Sequence, residues 1–142
     1  MARLCGTHKH TIDKKKRMFL PAKIRANIGE KFIITKSLSA KCIALYPEEV
    51  WQEFEEALKA LPRVSGEPIR RKVFSSMEEM SADEQGRILI PAELCEYAEL
   101  EKNIVVIGVD DHAEIWSDVN RAEAEIKENS PELLDQISAL GL

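Results

Sequence analysis

The sequence has little of what a membrane, secreted or catalytic protein needs. Its longest apolar run, residues 104–109, is far shorter than the roughly 20 residues of a membrane helix. Its first residues lack the stretch of about 7 to 15 apolar residues found in a secretory signal. Three widely spaced cysteines without a C-x-x-C pair argue against a disulfide framework. We therefore expect a cytoplasmic protein with no membrane partner.

Catalytic and metal-binding patterns are also missing. The sequence has only three histidines, and it contains no Ser/His/Asp grouping and no glycine-rich loop for phosphates. Cys5, His8 and His10 are loosely spaced like metal ligands, but no fourth ligand is near. The sequence predicts no enzyme activity, no cofactor, no metal and no small-molecule substrate.

The net charge of −5 conceals an uneven distribution along the chain. Residues 1–36 carry ten basic and two acidic residues, a net charge of +8, whereas residues 37–142 carry a net charge of −13. A short basic run is ordinarily a solvated face, but a whole basic third favours a polyanionic partner such as nucleic acid.

An internal repeat organises the sequence. Residues 13–24 align without a gap with residues 83–94 in the pattern D-x-x-x-R, three apolar residues, then P-A-x-[I/L]. The similarity returns further along, where residues 32–35 match 104–107 and residues 42–46 match 112–116. Units of about 40 residues bury too little apolar surface to fold alone, so the two copies must pack together.

Each copy predicts the same order of elements. A polar turn precedes a short strand, and a proline at the first helical position begins a helix, which Gly29 closes in the first copy. Trp51 and Trp116 are expected to anchor the core, each following a strand and opening a helix. The predicted strands are 17–20, 31–36, 42–46, 70–80, 87–90, 103–108 and 113–116; the predicted helices are 21–28, 47–61, 117–129 and 131–140, with a connector at 62–68.

These motifs resemble those of the MraZ family within the AbrB-like (SpoVT-AbrB) superfamily. The most specific are Gln85 to Pro91 and Glu114 to Trp116. The resemblance implies an α+β fold, mainly β with helices: two tandem swapped-hairpin β-barrel repeats, each followed by a helix. It places repeat 1, basic and DNA-binding, at 7–50, a helix and connector at 51–76, repeat 2 at 77–120 and C-terminal helices at 121–142.

The resemblance also implies a function. It predicts a nucleoid-associated, sequence-specific transcriptional regulator of bacterial cell division that binds double-stranded DNA as a closed ring-shaped homo-oligomer. Its targets would be short direct repeats in the promoter of the division and cell-wall gene cluster. Two alternatives act through protein partners, namely an AbrB-like antitoxin and a ring-forming scaffold that has lost DNA binding.

The charges of the first turn predict which residues contact DNA. Arg17 is expected to contact bases, because a guanidinium can bind guanine O6 and N7 with two hydrogen bonds. Phosphate contacts are expected from Lys14, Lys15 and Lys16.

The equivalent groups of the second copy leave alternatives open. Arg87 is either a second base contact or the partner of Asp83 or Asp13 in a salt bridge. Both aspartates are expected to cap turns or orient arginines rather than to act in catalysis. The basic segment 70–72 either contacts DNA or pairs with the acidic helix 47–61 of another chain, and the second option is favoured.

Three departures from the family pattern affect these expectations. Lys16 stands where the family usually has glycine, and it would cost about 1–2 kcal/mol if that position has a positive φ. Gln85 replaces a usual lysine, and Cys95 stands where a basic residue is common. The second copy is therefore expected to bind phosphate poorly.

Overall fold

The computed structural model describes residues 3–142, where the two repeats form equivalent elements in the same order. The first repeat contains β1 (Thr7–Thr11), β2 (Arg17–Phe19), α1 (Ala22–Ile28), β3 (Phe32–Lys36), β4 (Ile43–Pro47) and α2 (Glu48–Lys59). After α3 (Glu67–Phe74), the second repeat contains β5 (Glu78–Met80), β6 (Arg87–Leu89), α4 (Ala92–Tyr97), β7 (Asn103–Gly108), β8 (Ala113–Ser117) and α5 (Asp118–Glu128). A final helix, α6, covers Pro131–Ala139.

The strands of the two repeats interleave. Six of them form one antiparallel sheet in the order β1-β7-β8-β4-β3-β5. The order is symmetric, because replacing each strand by its counterpart in the other repeat gives the same order reversed. The outer strand of each repeat pairs with the other repeat, as in the register of Thr7 with Ile107. Strands β2 and β6 form a separate two-stranded ribbon. The expected α+β fold with two repeats is thereby confirmed.

The two repeats share one apolar core. Alternate residues of their strands point inward and fill it. Met18 of the ribbon and Ile88 opposite it are both 2% exposed. They lie in one cluster with Ile34 and Val106 from equivalent strands of the large sheet. Burial of each such side chain contributes about 1.5–3 kcal/mol to the free energy of unfolding. Because both repeats supply the side chains of this cluster, neither repeat has a complete core of its own.

Several predicted elements need correction. The predicted strand 70–80 is wrong over most of its length, because helix α3 occupies Glu67–Phe74 and only Glu78–Met80 is extended. Pro68 lies in the first turn of α3, where its missing N–H costs no hydrogen bond. The helix begins inside the predicted connector 62–68.

Three further boundaries differ from the prediction. Strand β1 was not predicted; its partners lie almost a hundred residues away in the second repeat. Pro21 takes the N-cap position rather than the first helical position, since its ψ of 138° is extended. Trp116 is buried as predicted but lies within β8 instead of opening a helix. No helix within residues 3–142 combines the length and apolar character needed to cross a bilayer.

Candidate nucleic-acid interface

The basic turn, residues 13–17, is organised by one carboxylate. Asp13 Oδ1 accepts hydrogen bonds from the backbone N–H groups of Lys15 and Arg17, both at 2.9 Å, and Oδ2 accepts one from Arg17 Nε at 3.2 Å. The Asp13 carbonyl also accepts the N–H of Lys16 at 3.0 Å. The backbone hydrogen bond from Arg17 is the main reason that the pKa of Asp13 is lowered. The carboxylate therefore fixes the turn and the base of the arginine side chain together.

The acidic turn, residues 83–87, has the same geometry with different charges. Asp83 Oδ1 accepts the N–H groups of Gln85 and Arg87 at 2.9 and 2.8 Å, and Oδ2 accepts Arg87 Nε at 3.1 Å. The pKa of Asp83 is likewise lowered, chiefly by the backbone hydrogen bond from Arg87. Both aspartates thus cap turns and orient arginines, as predicted. Arg87 pairs with Asp83 rather than Asp13, but Arg17 makes the same type of pair, so this contact does not separate the two roles proposed for Arg87.

The third position after each aspartate has a left-handed backbone. Lys16 has φ of 67° and its counterpart Gly86 has φ of 84°. A side chain at such an angle costs about 1–2 kcal/mol. The first turn thus carries the strain expected from its sequence.

The lysines of the basic turn are exposed and form no salt bridge with any described residue. Lys14, Lys15 and Lys16 are exposed, and across residues 3–142 no carboxylate lies within 4.0 Å of their amino groups. In contrast, Lys36 pairs with Glu93 at 3.4 Å and Lys41 pairs with Glu99 at 3.5 Å. Three cations without a salt-bridge partner thus follow one another in the basic turn, whereas other exposed lysines of residues 3–142 without such a partner, among them Lys9, Lys23 and Lys31, are dispersed over the chain.

Helix α1 brings an additional cation to the acidic turn. A Cβ atom built on Gly86 would lie 2.6 Å from Arg25 Nη1, so the Arg25 guanidinium covers the backbone of that turn. Sequence reasoning did not select Arg25. The signal that could have found it is its alignment in the repeat with Cys95, the position where the resemblance leads one to expect a basic residue. On the opposite side, Lys16 borders a groove lined by Glu96 and Glu99 of the α4 region.

The ribbon joins the two turns and has a mixed outer face. Arg17 lies opposite Leu89, and Phe19 lies opposite Arg87. Both arginines are half-buried, whereas Phe19 is 54% exposed and Leu89 is 59% exposed. Phe19 and Leu89 fall in predicted strands but were not predicted to form a surface. Their alternation with buried Met18 and Ile88 is the signal that could have shown it.

The basic segment 70–72 has a structural role within the chain. Arg70 donates hydrogen bonds to the carbonyl of Leu58 in the last turn of α2, at 3.2 Å, and to three carbonyls of the following loop, including Arg63 at 2.6 Å. Arg71 pairs with Glu67 one helical turn away at 3.2 Å. The donors of Arg70 thus hold the end of α2 and the loop after it within the same chain, and pairing of segment 70–72 with α2 of another chain stays a prediction.

An ionic cluster outside the interface lies where β7 turns into β8. His112 Nδ1 is 2.8 Å from Asp111 and Nε2 is 3.3 Å from Glu114, and the imidazole stacks on Tyr46 with ring centroids 5.0 Å apart. The hydrogen bond to Glu114 is the largest cause of the raised pKa of His112. Burial alone would raise the pKa of Glu114, but hydrogen bonds from His112 and Trp116 lower it.

The cysteines and histidines do not converge on a metal site. Cys5 is exposed, while Cys42 and Cys95 are buried and free. Burial raises the pKa of Cys42 to about 12. No group of three or more potential metal ligands occurs in the part of the chain that the structure describes.

Comparison with known proteins identifies the family. The model of the family described as "MraZ protein, putative antitoxin-like" matches residues 4–68 and 73–133. The chain is similar to proteins named "Transcriptional regulator MraZ" from three bacteria. It is 47% identical to that of Heliobacterium modesticaldum over 114 residues, covering 79% of each chain. It is 44% identical to that of Moorella thermoacetica over 137 residues, covering 95% of this chain and 92% of the relative. For Carboxydothermus hydrogenoformans the identity is 39% over 138 residues, covering 92% and 96%. The chain belongs to the MraZ family.

Proposed function

We propose that this protein is a transcriptional regulator, not an enzyme, that binds double-stranded DNA sequence-specifically in the nucleoid. Its similarity to proteins named transcriptional regulators supports the general role. The observation that carries the DNA contact is the basic turn, where one carboxylate orients Arg17 beside three exposed lysines that form no salt bridge within residues 3–142.

Arg17 is suited to contact a base. Asp13 engages its Nε atom, and its two terminal nitrogens make no hydrogen bond to any residue among 3–142. A guanidinium fixed in this way presents its remaining donors as a fork, which matches O6 and N7 of guanine in the major groove. Arg87 has the same arrangement and is proposed as a second base contact.

The lysines are suited to contact phosphates. Each phosphate neutralised by a cation contributes about −0.9 to the slope of log affinity against log salt concentration. Lys14, Lys15, Lys16 and Arg17 would together give a slope of about −3.6 per chain. Such a contribution supplies weak, non-specific binding, so specific sites require several chains acting together.

The unequal turns favour direct repeats as targets. A dimer with two identical turns would have twofold symmetry and would match a palindromic site. Here the two turns are related by the repeat but differ in charge, so each chain meets DNA with one orientation. Chains arranged head to tail then match elements repeated in one direction. We propose that these elements lie in the promoter of the division and cell-wall gene cluster, which includes the protein's own gene.

Assembly into a closed ring would present several basic turns in series. The outer helices carry exposed apolar side chains of the kind that subunit interfaces bury, including Phe54 of α2, Val119 and Ile126 of α5, and Leu134 of α6. Multi-angle light scattering tests this proposal, since a ring has a mass several times the 16.1 kDa of one chain. A monomer at micromolar concentration would contradict it.

Gel shifts with the DNA upstream of the protein's own gene, at two salt concentrations, test DNA binding. The Arg17→Ala variant is expected to lose about 5- to 150-fold in affinity, which is the effect of losing one bidentate base contact. Arg71→Ala is the matched control, because it removes an exposed arginine outside the turns. Equal binding by wild type and the Arg17 variant would contradict the proposed base contact and favour a scaffold role.

A second variant separates phosphate contacts from base contacts. Lys14→Ala should weaken binding to all sequences about equally and make the salt slope shallower by about 1. An unchanged slope would mean that Lys14 does not contact a phosphate.

A further inference from the structure

The outer face of the ribbon exposes two large apolar side chains between two arginines. Phe19 and Leu89 are 54% and 59% exposed, whereas their strand neighbours Met18 and Ile88 are each 2% exposed. The alternation shows that the exposed pair points away from the core. In the antiparallel register the two lie diagonally across the ribbon, close enough for large side chains to form one patch.

The charges around this patch indicate its occupant. Lys14, Lys15 and Lys16 extend from one end of the ribbon, and each apolar residue lies opposite an arginine. The capping carboxylates are engaged by hydrogen bonds. A partner for this face must combine dense negative charge with small apolar groups. The major groove of DNA does so, because phosphates flank it and each thymine displays a C5-methyl group there.

The shape of the ribbon agrees with the same partner. A major groove about 12 Å wide admits a two-stranded β-ribbon. The ribbon has only three residues in each strand, so its outer face consists of Arg17, Phe19, Arg87 and Leu89. With the arginines directed at guanines, the remaining two side chains face the neighbouring base edges.

We propose that Phe19 and Leu89 contact thymine methyl groups and so determine part of the base specificity. This inference depends on the proposed DNA binding. Because Leu89 lies directly opposite Arg17, its thymine is within one or two base pairs of the guanine that Arg17 binds. Phe19 lies opposite Arg87, so the thymine that Phe19 contacts is likewise within one or two base pairs of the guanine that Arg87 binds.

Replacing thymine by uracil tests the inference without altering the protein. Duplexes selected from a random pool by the wild-type protein are remade with deoxyuridine at one thymine position at a time. Removing a contacted methyl group is expected to weaken binding by about fourfold at one or two positions, which corresponds to about 0.8 kcal/mol. Phe19→Ala and Leu89→Ala should each abolish the effect at one of these positions. Phe19→Leu should keep part of it.

Two further measurements complete the test. The salt slope of both alanine variants should equal that of wild type, because no charge changes. Circular dichroism should show unchanged folding, since both side chains are exposed. The inference is overturned if no thymine position is sensitive in wild type, or if sensitivity survives in both variants. If a consensus is nevertheless selected and Arg17→Ala loses binding to it, the proposed DNA-binding function stands without the thymine contacts. If no consensus can be selected, the thymine contacts and sequence-specific DNA binding are both refuted.

Discussion

Replacing Lys16 by glycine should stabilise the protein while weakening its affinity for DNA. Lys16 has φ of 67°, and releasing a side chain from this conformation recovers about 1–2 kcal/mol. The greater freedom of glycine in the unfolded chain offsets about 0.4–1 kcal/mol of this. The expected net gain is about 1 kcal/mol, or about 3 °C in Tm for a chain of this size. Thermal unfolding followed by circular dichroism at a fixed protein concentration measures the change, since the proposed assembly would make Tm depend on concentration.

A matched variant separates backbone strain from charge. Lys14→Gly removes the same charge from the same turn, but Lys14 is not among the residues with positive φ. It should therefore lower the free energy of unfolding by about 0.4–1 kcal/mol. Gly86→Ala should also be destabilising, because a residue with a Cβ atom is strained at its φ of 84°. If Lys16→Gly melts at or below the wild-type temperature, the strain argument is refuted.

Three other predictions concern stability and reactivity. Arg70→Ala should cost about 1–2 kcal/mol in chemical denaturation by leaving helix-end carbonyls without a donor, while Arg71→Ala should cost less than about 0.5 kcal/mol; equal costs would contradict the capping role. The pKa of His112 is raised in the folded state, so its contribution to stability is complete below about pH 6.5 and is lost as pH rises through the folded pKa; the His112→Gln variant should lack this fall, and parallel pH profiles of the two proteins would show the inference to be wrong. In native protein at pH 8 a thiol reagent should label Cys5 rapidly, whereas Cys42, whose pKa is about 12, should react only after unfolding; rapid labelling of Cys42 would contradict its burial.

The repeat made much of the fold predictable. Proline at a helix start and alternating apolar residues are local signals, so helix α1 and strand β7 lie where the pattern places them. The missed strand β1 is a non-local failure. Strand β1 contains Lys9 and two histidines and shows no apolar alternation of its own, because its pairing with β7 is what makes it a strand. The error in residues 70–80 is local: Val73, Phe74, Met77 and Met80 have helical spacing and do not alternate as in a strand, in agreement with helix α3.

The candidate interface was predictable to a similar degree. The basic run identified the turn, and the repeat identified the paired aspartates. What the sequence could not provide was the way in which α1 crosses to the other repeat, where Arg25 covers Gly86. Nor could it show that β2 pairs with β6 and exposes Phe19 and Leu89 together. Both depend on contacts between residues far apart in the sequence.

The interleaved sheet has a consequence for synthesis on the ribosome. Thr7 pairs with Ile107, so the first strand is translated a hundred residues before its partner. At about 5–20 residues per second, that interval lasts roughly 5–20 s. During it, the nascent first half can close the β3–β4 hairpin but leaves open strand edges on which other chains can pair. A truncated product ending before residue 108 is therefore expected to be bound by chaperones or degraded by proteases and not to persist as a stable half-molecule.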